Sequence, residues 1–451
     1  MAPLGCLENL DVLGHQPSLH KLYTQICSVF AGDADRDAAT KTLRDGLDAL
    51  AAAFPWVCGD VVNTGAGPNV TGTFKIVARD QIPLVVRDLT TDPAAPTVAS
   101  LRAAKYPFRL LDEKLIAPCM TLNPPGTAAG LVAETGPVLA VQINFIVGGV
   151  VLTVASQHNA MDMVGQGNVM RWLSQACAGV LPSAADLAAG NADKRASVPL
   201  MDAAWQPGSD LDHQMARPPV PAAARPTTWA YVRFSAAALG RLKAAANATK
   251  DADVDFVSTD DAATALLWQC VTRARAPRLK PDAVTTFGRA VDVRPFLHVP
   301  DSYPGALSNM VFSSFAVPDL ATASLGAVAS ALRRQLYPRV YDVAYRTRAL
   351  ATLLDRSPDK TVVALTAPVD AETGIMLSSW AKVDVYALDF GLGLGKPEAV
   401  RRPRFLPIES LGYIMPKAPD GELVIGIGLC DDDWTRLGAD AVWNEYAEYV
   451  G

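Results

Sequence analysis

Histidine is scarce in this chain, five in 451 residues, and none stands near a cysteine at metal-ligand spacing. The seven cysteines (Cys6, Cys27, Cys58, Cys119, Cys177, Cys270, Cys430) are scattered singly, without a C-x-x-C pair. That pattern argues against zinc and for reduced, mostly buried thiols in a cytosolic protein. No block of Lys or Arg occurs and the formal net charge is −6, so a nucleic-acid partner is not expected. A small phosphate-bearing ligand needs only a local basic pocket and stays open. Uniformly apolar runs of membrane-spanning kind are also missing. Residues 138–155 have the length, but Gln142, Asn144 and Gly148-Gly149 interrupt them as a hairpin would. The first eleven residues hold acids and no basic stretch before an apolar block, so neither a signal nor a transit peptide is expected. The chain reads as soluble and cytoplasmic, with no membrane partner.

Half the residues are apolar and only 19% are charged, which describes a globular protein with a large interior. The length exceeds what one core usually supports, so two similar-sized domains are expected. The Ala/Pro-rich stretch 216–227 reads as a semi-rigid crossover between residues 1–215 and 228–451, within a longer Ala/Pro/Gly/Asp-rich region from 181 to 228. Helical periodicity marks 35–54, 169–180, 236–249, 262–275, 325–337 and 342–356. Strand composition marks 10–13, 71–77, 84–88, 228–234, 285–293, 308–317, 361–365, 374–380, 383–388 and 423–429, besides a hairpin over 138–156. Gly165 and Gly167 are expected to loosen the backbone before the 169–180 helix. Both halves mix strands and helices without a repeat, which gives an α/β or α+β fold with mixed sheets.

The hairpin runs straight into Ser156-Gln157-His158-Asn159-Ala160-Met161-Asp162. Imidazole is the side chain that takes and returns a proton near neutral pH, and the end of a buried strand holds it rigidly. A satisfied core histidine is the bland alternative. Downstream, Asp389-Phe-Gly-Leu-Gly-Leu-Gly-Lys-Pro397 follows a strand but fails as a phosphate loop. Pro397 stands where a Walker loop needs Ser or Thr, and Arg401-Arg402-Pro403 replaces the apolar helix of a dinucleotide turn.

Together, His158-x-x-x-Asp162 and Asp389-Phe-Gly-Leu-Gly393 resemble the paired motifs of the BAHD acyl-CoA-dependent acyltransferases. Within that family the chain is most similar to the fungal trichothecene 3-O-acetyltransferases. The shared blocks are 152–154, 157–158, 161–166, 258–261, 289–292, 376–382 and 389–397, which together span nearly the whole chain. Leu392 replaces the family's Trp, Met163 the Gly that often follows the motif aspartate, and Asn159 an expected Gly.

The resemblance implies a chloramphenicol-acetyltransferase-like fold with two domains and a channel between them. It implies acetyl transfer from acetyl-CoA, as co-substrate, to a hydroxyl of a fungal-type metabolite by a monomer, with no permanent cofactor and no metal. His158 would be the general base. Asp162 would make a structural ion pair rather than a His/Asp relay. Trp380 would donate its indole N–H to the oxyanion, with Ser378 or Ser379 as competitor. Ser258 and Thr259 at a helix N-terminus, with Ser378 and Ser379, would line the CoA path. Asp389, Gly391 and Gly393 would be structural, with Arg294 the candidate partner of Asp389. Alternatives left open are another short acyl-CoA on another scaffold, a condensation-type fold, for which Gln157 stands where a second His is usual, and a non-catalytic metabolite-binding relative.

Overall fold

The computed structural model describes residues 6–20, 22–122, 136–217 and 225–451. Most of the expected crossover, 218–224, lies outside them. Three sheets organise the chain. A five-stranded sheet runs in the order Ala399–Arg401, Tyr23–Ala31, Gly149–Gln157, Leu139–Ile146, Leu84–Asp88. A seven-stranded sheet runs Ser308–Ala316, Val284–Asp292, Ile375–Ser379, Leu411–Ile414, Leu423–Cys430, Thr227–Phe234, Glu448–Tyr449. A small sheet pairs Cys6–Asn9, Thr73–Ala78, Gly59–Thr64 and Gly136–Pro137.

The hairpin read from the sequence forms as expected. Leu139–Ile146 and Gly149–Gln157 pair antiparallel, turning at Gly148 with φ +83°, a conformation open to glycine at little cost. Every residue of both strands is buried, which explains their lack of apolar/polar alternation: one face meets the helices, the other a second cluster of side chains. Helix Arg36–Ala53 starts at Asp35, whose carboxylate accepts from the Ala38 N–H at 3.0 Å, and it buries Leu43, Leu47 and Leu50 on one stripe.

Several local expectations yield to tertiary context. Residues 12–15 form a 3-10 turn, not a strand; the first strand is Cys6–Asn9. Residues 360–362 and 385–387 are 3-10 turns where strands were expected. Short apolar stretches carry no periodicity long enough to separate the two. The 181–228 region is not one extended crossover: Ser183 caps helix Ala184–Gly190, and Arg356 holds the Trp205 carbonyl at 2.9 Å. Helix Met163–Cys177 begins six residues earlier than its apolar pattern suggested. Gly165 and Gly167 sit inside it as sites of close approach, since a Cβ at Gly165 would lie 1.9 Å from the Pro304 carbonyl oxygen and one at Gly167 2.5 Å from Val383.

The two large sheets are joined by the chain itself. Strand Ala399–Arg401, which follows the glycine-rich segment, leaves the C-terminal half and pairs antiparallel with Tyr23–Ala31 of the N-terminal half. It thereby carries Arg402 towards the end of the sheet where His158 emerges.

Candidate active site

His158 is the first residue after the buried strand Gly149–Gln157. Its backbone N–H donates to the Leu22 carbonyl at 2.7 Å, extending the pairing one step past Tyr23 and Gln157. The chain then turns tightly, the N–H groups of Ala160 and Met161 both donating to the Gln157 carbonyl, and enters the next helix at Asp162. Around the turn Gln157 is fully buried, and its amide meets the Tyr23 hydroxyl and His20 Nδ1. One residue thus faces the site while its neighbours anchor it.

His158 is intermediate in exposure. Of its two ring nitrogens Nδ1 alone is shielded from solvent without a partner in hydrogen-bond geometry among the described residues, leaving Nε2 as the open nitrogen. Burial lowers the His158 pKa below the usual imidazole value, and the Arg402 charge acts in the same direction. The carbonyls of His158 and Met161 and the charge of Asp162 oppose it. The net direction keeps the ring neutral, the form that accepts a proton.

Asp162 does not touch the imidazole. One carboxylate oxygen accepts from the Gly165 N–H at 2.8 Å and from Arg294 Nη2 at 3.0 Å. The other accepts from Arg294 Nη1 at 2.9 Å and the Leu307 N–H at 2.8 Å. Arg294, fully buried, also donates to Asp292 at 2.8 Å and to the carbonyls of Tyr303 and Gly305. A bidentate pair with every remaining donor satisfied is the arrangement in which a buried ion pair holds structure.

Arg294 is therefore the partner of Asp162, and its expected pairing with Asp389 is corrected. Asp389 is exposed and turns its carboxylate onto the Gly391 N–H at 2.9 Å, while its carbonyl accepts from the Ser174 hydroxyl at 2.7 Å. Gly391 and Gly393 have φ +68° and +76°, so this segment is a tight turn braced on the 163–177 helix.

Trp380 is buried, and its indole N–H is given to the Ser378 hydroxyl oxygen at 3.0 Å. The indole N–H expected to face the oxyanion is thus engaged by Ser378, a residue named as its competitor. Ser378, with its oxygen accepting from the indole, keeps an O–H to donate. Ser379 donates to Asp260 at 2.6 Å, tying the strand end to the first turn of helix Thr259–Arg275. Ser258 is committed to a capping box with Asp261, whose charge is balanced by Arg289 and Arg333. The side chain of Thr259, beside it, makes no hydrogen bond among the described residues. The structure so gathers Ser258, Thr259, Ser378, Ser379 and Trp380 around the C-terminal end of an inner strand of the seven-stranded sheet.

The six cysteines whose side chains are described are free thiols, and burial pushes Cys27, Cys119, Cys177 and Cys270 up to about 12. Among the described residues the one cluster of metal-ligand type, Glu409, Cys430 and Asp433, is engaged by Arg275 and Arg278. No helix among them is long and apolar enough to cross a membrane.

A family model described as the trichothecene 3-O-acetyltransferase-like N-terminal domain matches residues 22–177, and one described as the transferase family matches residues 124–431. The chain belongs to this transferase family. Among the family's members, a trichothecene 3-O-acetyltransferase of Saccharomyces cerevisiae is 49% identical over 457 residues, covering 99% of this chain and 96% of its own. The crystal structure of F. graminearum TRI101 complexed with coenzyme A and T-2 mycotoxin matches with a TM-score of 0.94 at 45% identity, covering 98% of this chain and 99% of that one. Vinorine synthase matches at TM-score 0.64 and 16% identity over 97% and 92% of the two chains, a likeness of fold alone. The mixed α/β architecture is thus that of the BAHD-type acyltransferases.

Arg402 is the residue that sequence reasoning missed. It was visible only as part of Arg401-Arg402-Pro403, a pair that counted against a dinucleotide loop. Nothing local marks the second of two adjacent arginines as buried.

Proposed function

We propose that the protein transfers the acetyl group of acetyl-CoA to a hydroxyl of a trichothecene-like sesquiterpenoid or a related terpenoid or polyketide, with His158 as general base. The enzyme is an acyl-CoA-dependent O-acetyltransferase, and acetyl-CoA is its co-substrate. A neutral hydroxyl is a poor nucleophile and free alkoxide is too basic to exist near neutral pH, so the proton leaves as the oxygen attacks. His158 Nε2 takes that proton. The tetrahedral oxyanion accepts from Ser378, whose oxygen is already held by Trp380. Collapse expels the CoA thiolate, which recovers the proton from the imidazolium. Neither a covalent acyl-enzyme nor a metal is required. Asp162 and Arg294 hold the turn that carries His158, and Thr259, Ser258 and Ser379 lie on the CoA side. Residues 1–215 and 228–451 form the lobes between which the substrates meet, in a cytoplasmic monomer.

The observation that carries this reading is an imidazole held neutral at a rigid strand end, with one nitrogen sealed and the other open. It is tested by mass spectrometry of products after mixing the protein with acetyl-CoA and a panel of hydroxylated sesquiterpenes and polyketides, with thiol release followed in parallel. The expected result is a mono-acetylated product, with His158→Ala releasing no thiol yet still binding CoA. Acetyl-CoA binding without turnover by the parent protein would favour a non-catalytic relative. Turnover only with a longer acyl-CoA would move the donor, and full activity of His158→Ala would end the mechanism.

A further inference from the structure

Arg275, Arg289 and Arg294 are buried and each holds a carboxylate. Arg402 is buried to 1% exposure and holds none among the described residues. Among the described residues its Nε and Nη1 are shielded from solvent without a hydrogen-bond partner, and its Nη2 makes only long contacts, 3.4 Å to the Tyr23 carbonyl and 3.5 Å to Thr121 Oγ1. Aromatic faces take the place of an anion: the guanidinium carbon lies 4.5 Å from the ring centre of Phe405, 4.7 Å from Tyr413 and 5.6 Å from Trp380. The backbone is pinned as well, since the Tyr231 hydroxyl accepts from the Arg402 N–H at 2.8 Å and donates to its carbonyl at 3.0 Å.

A guanidinium cannot shed its proton near neutral pH, and burying it without an acid is unfavourable, so its placement calls for a reason. On one side it meets Tyr23, the residue opposite Gln157; the preceding carbonyl, Leu22, holds the His158 N–H at 2.7 Å. On the other it packs against Trp380, whose N–H fixes Ser378. It therefore bridges the two halves of the catalytic centre.

We propose that Arg402 is a positioning residue for acetyl transfer: a cation without a contacting acid that locks Trp380 and Ser378 against the strand end from which His158 projects. This rests on the acetyltransferase reading above. The charged and titratable groups around the pair are few. Asp162 and Arg402 act on His158 with opposite signs. Glu113, whose pKa burial raises and Arg402 lowers, faces the guanidinium across Thr121, to whose N–H it is bonded at 2.7 Å; Cys27, Tyr231 and Tyr413 also feel its charge.

The test is the pH profile of kcat/KM, from thiol release with acetyl-CoA and a turned-over acceptor, for the parent, Arg402→Met, Arg402→Gln and Arg402→Lys. Without the cation His158 protonates more easily, so the acid limb of the Met and Gln variants moves to higher pH. Their kcat falls at least tenfold while KM for acetyl-CoA changes little. Lys keeps the charge but not the planar fork, so its acid limb stays in place and its kcat falls. An acid limb unmoved in folded Met or Gln variants overturns the proposal. Should neither fold, the Lys variant decides, because parental kcat there overturns the positioning role. A parent protein that releases no thiol with any acceptor counts against the acetyltransferase reading instead.

Discussion

Replacing Asp162 by Asn separates a structural clamp from a catalytic relay. The carboxylate receives four hydrogen bonds, two from Arg294 and one each from the N–H groups of Gly165 and Leu307. Asn keeps one acceptor oxygen and turns an NH2 towards donors that have nothing to offer it, while the fully buried Arg294 loses its bidentate partner. Breaking a buried pair from one side costs about 3–5 kcal/mol. Asp292, at 2.8 Å from Arg294, still offsets part of that charge and puts the value near the lower end, about 3 kcal/mol. At about 2 °C per kcal/mol for a large domain, the midpoint of thermal unfolding should fall by roughly 6 °C. The His158 turn is held by this clamp, and a displacement of about 1 Å can slow a reaction about a hundredfold. A loss of kcat within about that factor, measured on folded protein, is therefore expected alongside the lower midpoint. A relay makes the opposite forecast: a serine-protease triad loses about four orders of magnitude when its aspartate becomes asparagine, with geometry intact. A variant as stable as the parent and about 10⁴-fold slower would refute the clamp.

Ser378→Ala should lower kcat by about 10²–10³ by removing an oxyanion donor, whereas Trp380→Phe, which keeps a ring over Arg402 and frees Ser378, should lose less; steady-state kinetics on both decide, and a larger loss for Trp380→Phe would return the indole to the direct role. His15 Nδ1 accepts from the Phe74 N–H at 3.3 Å, and burial, helped by the nearby Lys360 charge, lowers its pKa to about 4. Because the folded value lies below the unfolded one, its contribution is present above about pH 6.5 and is lost as pH falls towards 4, about 3 kcal/mol in all. Urea unfolding at pH 7 and pH 4.5 should show a smaller acid loss in His15→Leu than in the parent, and equal losses would refute the assignment.

The hairpin, the helix start at Ser258 and the helices over 36–53, 259–275 and 343–356 were legible because each depends on residues within a few positions of one another. Their periodicity and capping chemistry act before any long-range contact forms. The His158-x-x-x-Asp162 motif was legible for the same reason. The partner of Asp162 in its expected structural ion pair was not, because Arg294 lies 132 residues away and only the fold brings them together. The three short segments misread as strands, and the glycines of the 163–177 helix read as slack, failed where packing against distant chain decides local conformation.

By itself the sequence determined the longer helices and strands, the absence of metal-ligand spacing and the histidine proposed as proton acceptor. Tertiary structure alone decided which nitrogen of that imidazole is open, that the indole of Trp380 is spent on Ser378, and that a cation with no contacting acid among the described residues sits beside them. Charge, burial and hydrogen-bond partners at a site are sums over contacts distant in sequence, and a string of residues fixes those sums only once it has folded.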